Sequence, residues 1–99
     1  MQGVTICYDF RFNLEVRKKD GRVYKRHMVN GLGLDFSSAL WDVYFKVKKR
    51  KTVILKITSV TPLRIAFAFK GNESLSFKLS DCPPTIPQDL ETALKHLPQ

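Results

Sequence analysis

The sequence predicts a small, mainly β domain: an antiparallel sheet curled into a barrel of about six or seven strands, with a C-terminal helix. Three observations support this. Apolar and polar residues alternate from Val4 to Arg17, which is typical of a half-buried strand. Turn residues recur between later apolar segments. Residues 88–97 instead place leucines at helical spacing.

Composition limits the class of protein. The chain has 99 residues, 43% hydrophobic and 26% charged, and we treat residues 1–99 as one globular domain. We see no signal peptide and no apolar run long enough to cross a bilayer. Cys7 and Cys82 share no metal-ligand spacing, so we expect no metal and no cofactor. We expect an intracellular protein, cytoplasmic or nuclear.

The first hairpin has the clearest pattern. Its strands are predicted at about residues 4–18 and 22–30. A three-residue loop ending at Gly21 pairs Val16 with Tyr24 and Phe12 with Met28. Gly21 then takes the left-handed position that such a loop requires.

The segment at about residues 36–48 has two interpretations. As a helix it begins at the N-cap Asp35 and carries a helically spaced apolar stripe that includes Phe36 and Val43. As a strand its residues 43–47 mirror residues 53–57 across a loop, and valine, tyrosine and phenylalanine favour strands. We prefer the strand, and an α+β fold with this helix is the alternative.

A further hairpin and a helix complete the predicted fold. Strands at residues 63–69 and 75–79 flank a turn at Lys70–Ser74. Pro62 marks the start of the first of these strands, where its missing N–H is tolerated. A proline-rich connector from Cys82 leads to the closing helix.

The charged residues indicate binding and not catalysis. His27 and His96 lie far apart in sequence, and no glycine-rich phosphate loop precedes a helix, so we predict no enzyme and no catalytic residues. The formal net charge of +8 attracts phosphates of nucleic acids or lipids. In an up-and-down meander the first, third and fifth turns lie at one end. The cations gathered there would be Lys18, Lys19, Arg22, Lys48, Lys49, Arg50, Lys51 and Lys70.

The first hairpin also resembles a known family. The stretch "LEVRKKDGRVYKRHMV", residues 14–29, is similar to the first hairpin of pleckstrin-homology domains, where a strand ends in lysines and returns with an aromatic residue and Lys-Arg. The resemblance implies a pleckstrin-like barrel in which phosphoinositide phosphates are held by Lys18, Lys19, Arg22, Lys25 and Arg26. The closing helix lacks the tryptophan usual in lipid-binding members, and Trp41 lies elsewhere.

These observations predict a non-enzymatic module whose basic hairpin tips bind an anionic partner. Among the possible partners we slightly favour phosphoinositide or anionic membrane headgroups. The first alternative is a small basic nucleic-acid-binding protein, viral or regulatory. The second is a module that docks acidic peptides, or a self-assembling structural protein.

Overall fold

The described residues form a four-stranded antiparallel sheet with helices packed against it. A computed structural model describes residues 5–70, 73–78 and 85–98. Its elements are β1 (Thr5–Arg17), β2 (Val23–Gly33), α1 (Phe36–Lys49), β3 (Val53–Lys70), β4 (Glu73–Lys78) and α2 (Leu90–Lys95). The strand order is β2-β1-β3-β4. The mainly β class is confirmed, but the barrel of six or seven strands is wrong. Of the predicted turn at Lys70–Ser74, only Gly71 and Asn72 lie outside the described residues, because Lys70 ends β3 and Glu73 and Ser74 belong to β4. The start of the connector, residues 82–84, also lies outside them.

The main helix, α1, lies in the middle of the chain, where we preferred a strand. Asp35 caps it, because its carboxylate accepts a 2.8 Å hydrogen bond from the Ser38 amide. The buried stripe of the helix comprises Phe36, Ala39, Leu40, Val43 and Val47. Burying this stripe outweighs the strand propensity of the β-branched and aromatic residues. The preferred strand is therefore wrong, and the alternative helix at about 36–48 is confirmed.

Two predicted strands, residues 53–57 and 63–69, are parts of the single long strand β3. Pro62 does not begin a strand but lies within this one. Its missing N–H is tolerated for two reasons: the pairing of β1 with β3 shifts register beside it, and β4 pairs with β3 only over Ile65–Lys70. This continuity, with α1 replacing a strand, explains why the sheet has four strands.

The first hairpin forms as its local sequence predicts. Gly21 has φ of 87°, the left-handed conformation expected at the end of the three-residue loop. Val16 pairs with Tyr24, as predicted. The register shifts between Leu14 and Val16, so Phe12 pairs with Val29, one position beyond the predicted partner. Turn chemistry is local and fixes the tip, whereas the irregularity further along depends on the rest of the sheet.

The core lies between the sheet and the two helices. Phe10, Phe12, Leu14 and Val16 of β1 are completely buried, and each contributes roughly 1.5–3 kcal/mol by leaving water. The short C-terminal helix α2 adds Leu94 to this cluster. Neither α1 nor α2, nor any other described part of the chain, forms a helix long and apolar enough to cross a membrane.

Helix α1 packs closely against β2 because β2 has glycines at the contact. A methyl group on Gly31 would lie 2.5 Å from the Ala39 carbonyl oxygen and 2.7 Å from Val43 Cγ2. Gly33 has similarly close neighbours in Ala39 and Ser38. The absence of a Cβ atom at both positions lets the helix lie directly on the strand.

Two side chains of α1 also bind the open edge of β2. The Asp42 carboxylate accepts a 2.9 Å hydrogen bond from the Leu32 amide. The Lys46 ammonium donates a 2.8 Å bond to the Asn30 carbonyl. These bonds satisfy backbone groups that an edge strand otherwise leaves unpaired.

Candidate anion-binding site

The topology brings two basic turns together at one end of the sheet. Arg17, the last residue of β1, pairs with Val23 on one side and with Val53 on the other. The turn between β1 and β2 therefore lies beside the turn between α1 and β3. We call this region the basic end. It comprises Lys18, Lys19, Arg22, Lys48, Lys49, Arg50 and Lys51.

Residues of both turns line one depression on the surface. Lys18, Lys19 and Asp20 of the first turn line one depression with Arg50 and Thr52 of the second. Seven of the eight cations predicted to cluster are thus at the same end. They meet because helix α1 returns the chain to this end, and not because a third strand does so.

Lys70 lies at the opposite end of the sheet. Phe69 pairs with Thr5, the first residue of β1, whereas Val53 pairs with the last. Because β3 runs unbroken through Pro62, its final residue is carried away from the other cations. The predicted juxtaposition of Lys70 with the basic end is therefore wrong.

Two further cations of the pleckstrin-type pattern lie on the edge strand. Lys25 and Arg26 are exposed on β2, between the hairpin turn and His27. They lie where β2 pairs irregularly with β1, opposite Glu15, and add exposed positive charge close to the hairpin turn.

A cleft runs between β2 and the end of α1. Its volume is about 500 Å³. We call it the basic cleft. It is lined by His27, Met28, Val29, Asn30, Lys46, Val47, Lys49, Arg50 and Thr52. Lys49 and Arg50 belong to both the basic end and the basic cleft, so the two form one continuous surface.

The cations of this surface differ in what they already contact. Lys46 lies 3.0 Å from the Asp42 carboxylate and also donates to the Asn30 carbonyl, so its role is structural. Arg22 pairs loosely with Asp20 at 3.7 Å in an exposed position. Within the described residues no acidic side chain pairs with Lys19, Lys49, Arg50 or Lys51. These four cations can therefore contact an external anion.

His27 lines the basic cleft together with Lys49 and Arg50. Burial lowers the pKa of the His27 imidazole below its usual 6.5, and the positive charges of Lys18 and Arg50 lower it further. The imidazole is therefore neutral at pH 7. It can donate one hydrogen bond in the cleft but adds no charge.

The turn after α1 holds Lys51 in a strained conformation. Its φ is 55°, the left-handed region that glycine usually occupies after a helix. The Thr52 amide donates to the Val47 carbonyl at 3.0 Å, and the Lys51 amide donates to the Lys48 carbonyl at 2.9 Å. This is a Schellman motif with lysine at the glycine position. The motif fixes the backbone that carries Arg50 and Lys51.

The helix dipole accounts for part of this charge. Lys46, Lys48 and Lys49 lie in the last turn of α1, where cations offset the roughly half negative charge of a helix C-terminus. Lys18, Lys19 and Arg22 belong to another element, so the dipole of α1 gives no reason for their position. Their convergence with the helix end is what defines the candidate site.

Sequence reasoning missed His27, Asn30 and Lys46 as parts of the cleft. We preferred a strand to a helix at residues 36–48, and only a helix places Lys46 beside β2. Asp42 and Lys46 are four residues apart with opposite charge, which is a helix signal that could have identified the pair. Among the residues that the structure describes, no group of three His, Cys, Asp or Glu could hold a metal ion.

Comparison of the chain with protein families, with curated proteins and with solved structures finds no match. The resemblance of the first hairpin to pleckstrin-homology domains therefore stays a prediction, and function must be argued from the site.

Proposed function

We propose that the chain is a non-enzymatic nucleic-acid-binding module whose basic end and basic cleft contact the phosphate backbone. The observation that supports this most is the convergence of cations from two separate turns, four of which have no acidic partner among the described residues. Each Lys or Arg that neutralises a phosphate releases condensed counterions, which favours binding. The net charge of +8 adds long-range attraction.

The shape of the surface favours an extended anion over a single headgroup. Lys25 and Arg26 add two more exposed cations on β2, close to the hairpin turn. A strip of cations suits a chain of phosphates. The phosphoinositide hypothesis assumed a pleckstrin-like barrel, and the described residues form an open four-stranded sheet instead.

A phosphoinositide headgroup is the second candidate. The basic cleft, at about 500 Å³, is within the size range of small-ligand sites. The resemblance of residues 14–29 to pleckstrin-homology domains also favours it. The remaining alternative, a module that docks acidic peptides or a self-assembling structural protein, has no separate observation in its favour among the described residues.

Fluorescence anisotropy with labelled oligonucleotides tests the proposal. If four or more cations each contact a phosphate, affinity falls by about a hundredfold between roughly 50 and 200 mM salt. Vesicle flotation with and without phosphoinositides runs in parallel. Absence of oligonucleotide binding at the lower salt concentration rules out the nucleic-acid proposal. If the chain binds no oligonucleotide but floats only with vesicles that contain phosphoinositide, the second candidate, a phosphoinositide headgroup, is supported.

A further inference from the structure

Three aromatic side chains form a cluster on the outer side of α1. We call Trp41, Tyr44 and Phe45 the aromatic ridge. Their ring centroids lie 5.6 Å apart for Trp41–Tyr44, 5.6 Å for Trp41–Phe45 and 5.4 Å for Tyr44–Phe45. Trp41 is 40% exposed and Phe45 is 56% exposed. These two rings are not part of the buried stripe that holds α1 on the sheet.

Within the described part of the chain, packing of the core does not account for this exposure. Tyr44 packs partly against the core, but Trp41 and Phe45 do not belong to the core cluster. Contiguous aromatic surface left in water is unfavourable and usually marks a contact site. A ligand that covers the ridge would remove this cost.

The ridge is continuous with the basic end. The Lys48 ammonium lies 5.5 Å from the centre of the Tyr44 ring. Lys49, which lines the basic cleft, follows Phe45 by four residues and so lies about one helical turn further along α1. Rings and cations are therefore presented side by side on one rigid helix. This combination matches a ligand that carries both π-faces and negative charge.

We infer that the ridge stacks unpaired bases while the basic end holds the adjoining phosphates, so that the preferred ligand is single-stranded nucleic acid. This inference rests on the proposed function and adds the strandedness of the ligand. Stacking of bases on aromatic side chains, combined with a basic groove, is how proteins bind single strands with little sequence preference. A duplex keeps its bases paired and stacked, so it contacts only the cations.

Trp41 provides a direct test because it is the single tryptophan of the sequence. Its fluorescence is followed during titration with a single-stranded oligonucleotide, the duplex of the same sequence, and an abasic strand of equal length. We expect the single strand to quench Trp41. The duplex and the abasic strand carry phosphates but offer no unpaired base, so we expect them to bind more weakly and to leave the emission largely unchanged.

Two variants separate stacking from general apolar contact. Phe45→Leu keeps an apolar side chain but removes the ring, and we expect affinity for the single strand to fall by about tenfold while duplex affinity is unchanged. Leu34→Ala is the control. Leu34 is 59% exposed and precedes α1, and it is not one of the three clustered rings, so we expect its replacement to leave both affinities as they were.

The outcomes distinguish this inference from the proposed function. Equal affinity for single strand and duplex, with no quenching by either, overturns the stacking role and leaves backbone binding intact. No binding to any of the three polymers removes the proposed function as well. A third outcome is that Trp41 emission changes with protein concentration in the absence of nucleic acid, and that Phe45→Leu abolishes this change. The ridge is then a contact between copies of the chain, which also overturns the inference.

Discussion

At the scale of single residues, Lys51 combines a cost in stability with a position in the candidate site. An L-residue with a side chain in the left-handed region is about 1 kcal/mol less stable than glycine there. The Schellman motif requires that conformation after α1, and glycine would satisfy it without strain. Strained residues cluster at functional sites, which fits a cation retained at the basic end.

Replacing Lys51 separates these two effects. We expect Lys51→Gly to raise the free energy of unfolding by about 1 kcal/mol, because strain is relieved, and to weaken oligonucleotide binding, because a cation is lost. Lys51→Ala is the matched control: it removes the charge but keeps a Cβ, so binding weakens without the stability gain. Urea unfolding and anisotropy measure the two quantities. Unchanged binding in both variants would show that Lys51 is not part of the site.

At the scale of elements, residues 36–49 show where the sequence alone could not decide. Asp35 and the apolar stripe indicated a helix, while the valines and aromatics indicated a strand, and both patterns are present in the same residues. The decision depends on Gly31 and Gly33, which let a helix lie on β2. The close fit depends on residues of both β2 and α1, so the sequence of either element alone does not reveal it. The tip of the first hairpin, by contrast, was predictable because Gly21 determines it locally.

The contact between α1 and β2 can be tested at Gly31. We expect Gly31→Ala to destabilise the fold by about 1–3 kcal/mol, because the added methyl overlaps the Ala39 carbonyl and Val43. Gly21→Asn is the control, since no atom lies within 4 Å of the added Cβ and asparagine tolerates the left-handed region. Its cost should stay below about 1 kcal/mol in urea unfolding. A Gly31→Ala variant as stable as the original chain would mean that α1 does not pack there.

At the scale of the whole molecule, chain direction fixes which turns meet. Helix α1 runs back along the sheet as a strand would, so the turns after β1 and after α1 share an end under either interpretation. This is why most of the basic end was predictable from the sequence. The position of Lys70 was not, because it depends on whether Pro62 begins a new strand or lies within a longer one. The register shift and the short β4 that accommodate Pro62 are properties of the assembled sheet.

Affinity for an oligonucleotide should depend on where a charge lies and not only on the net charge of the chain. Lys49 and Lys95 are exposed lysines in the last turns of α1 and α2, and only Lys49 lines the basic cleft. Lys49→Glu and Lys95→Glu change the net charge equally, and each places a negative charge near a helix C-terminus.

The most direct test of the site is therefore the salt dependence of oligonucleotide affinity for these two variants. We predict that Lys49→Glu weakens binding by about tenfold at roughly 0.1 M salt and lowers the slope of log affinity against log salt by about 1, while Lys95→Glu changes affinity by less than about twofold. Equal losses in both variants would show that binding follows net charge and would contradict a site at the basic end.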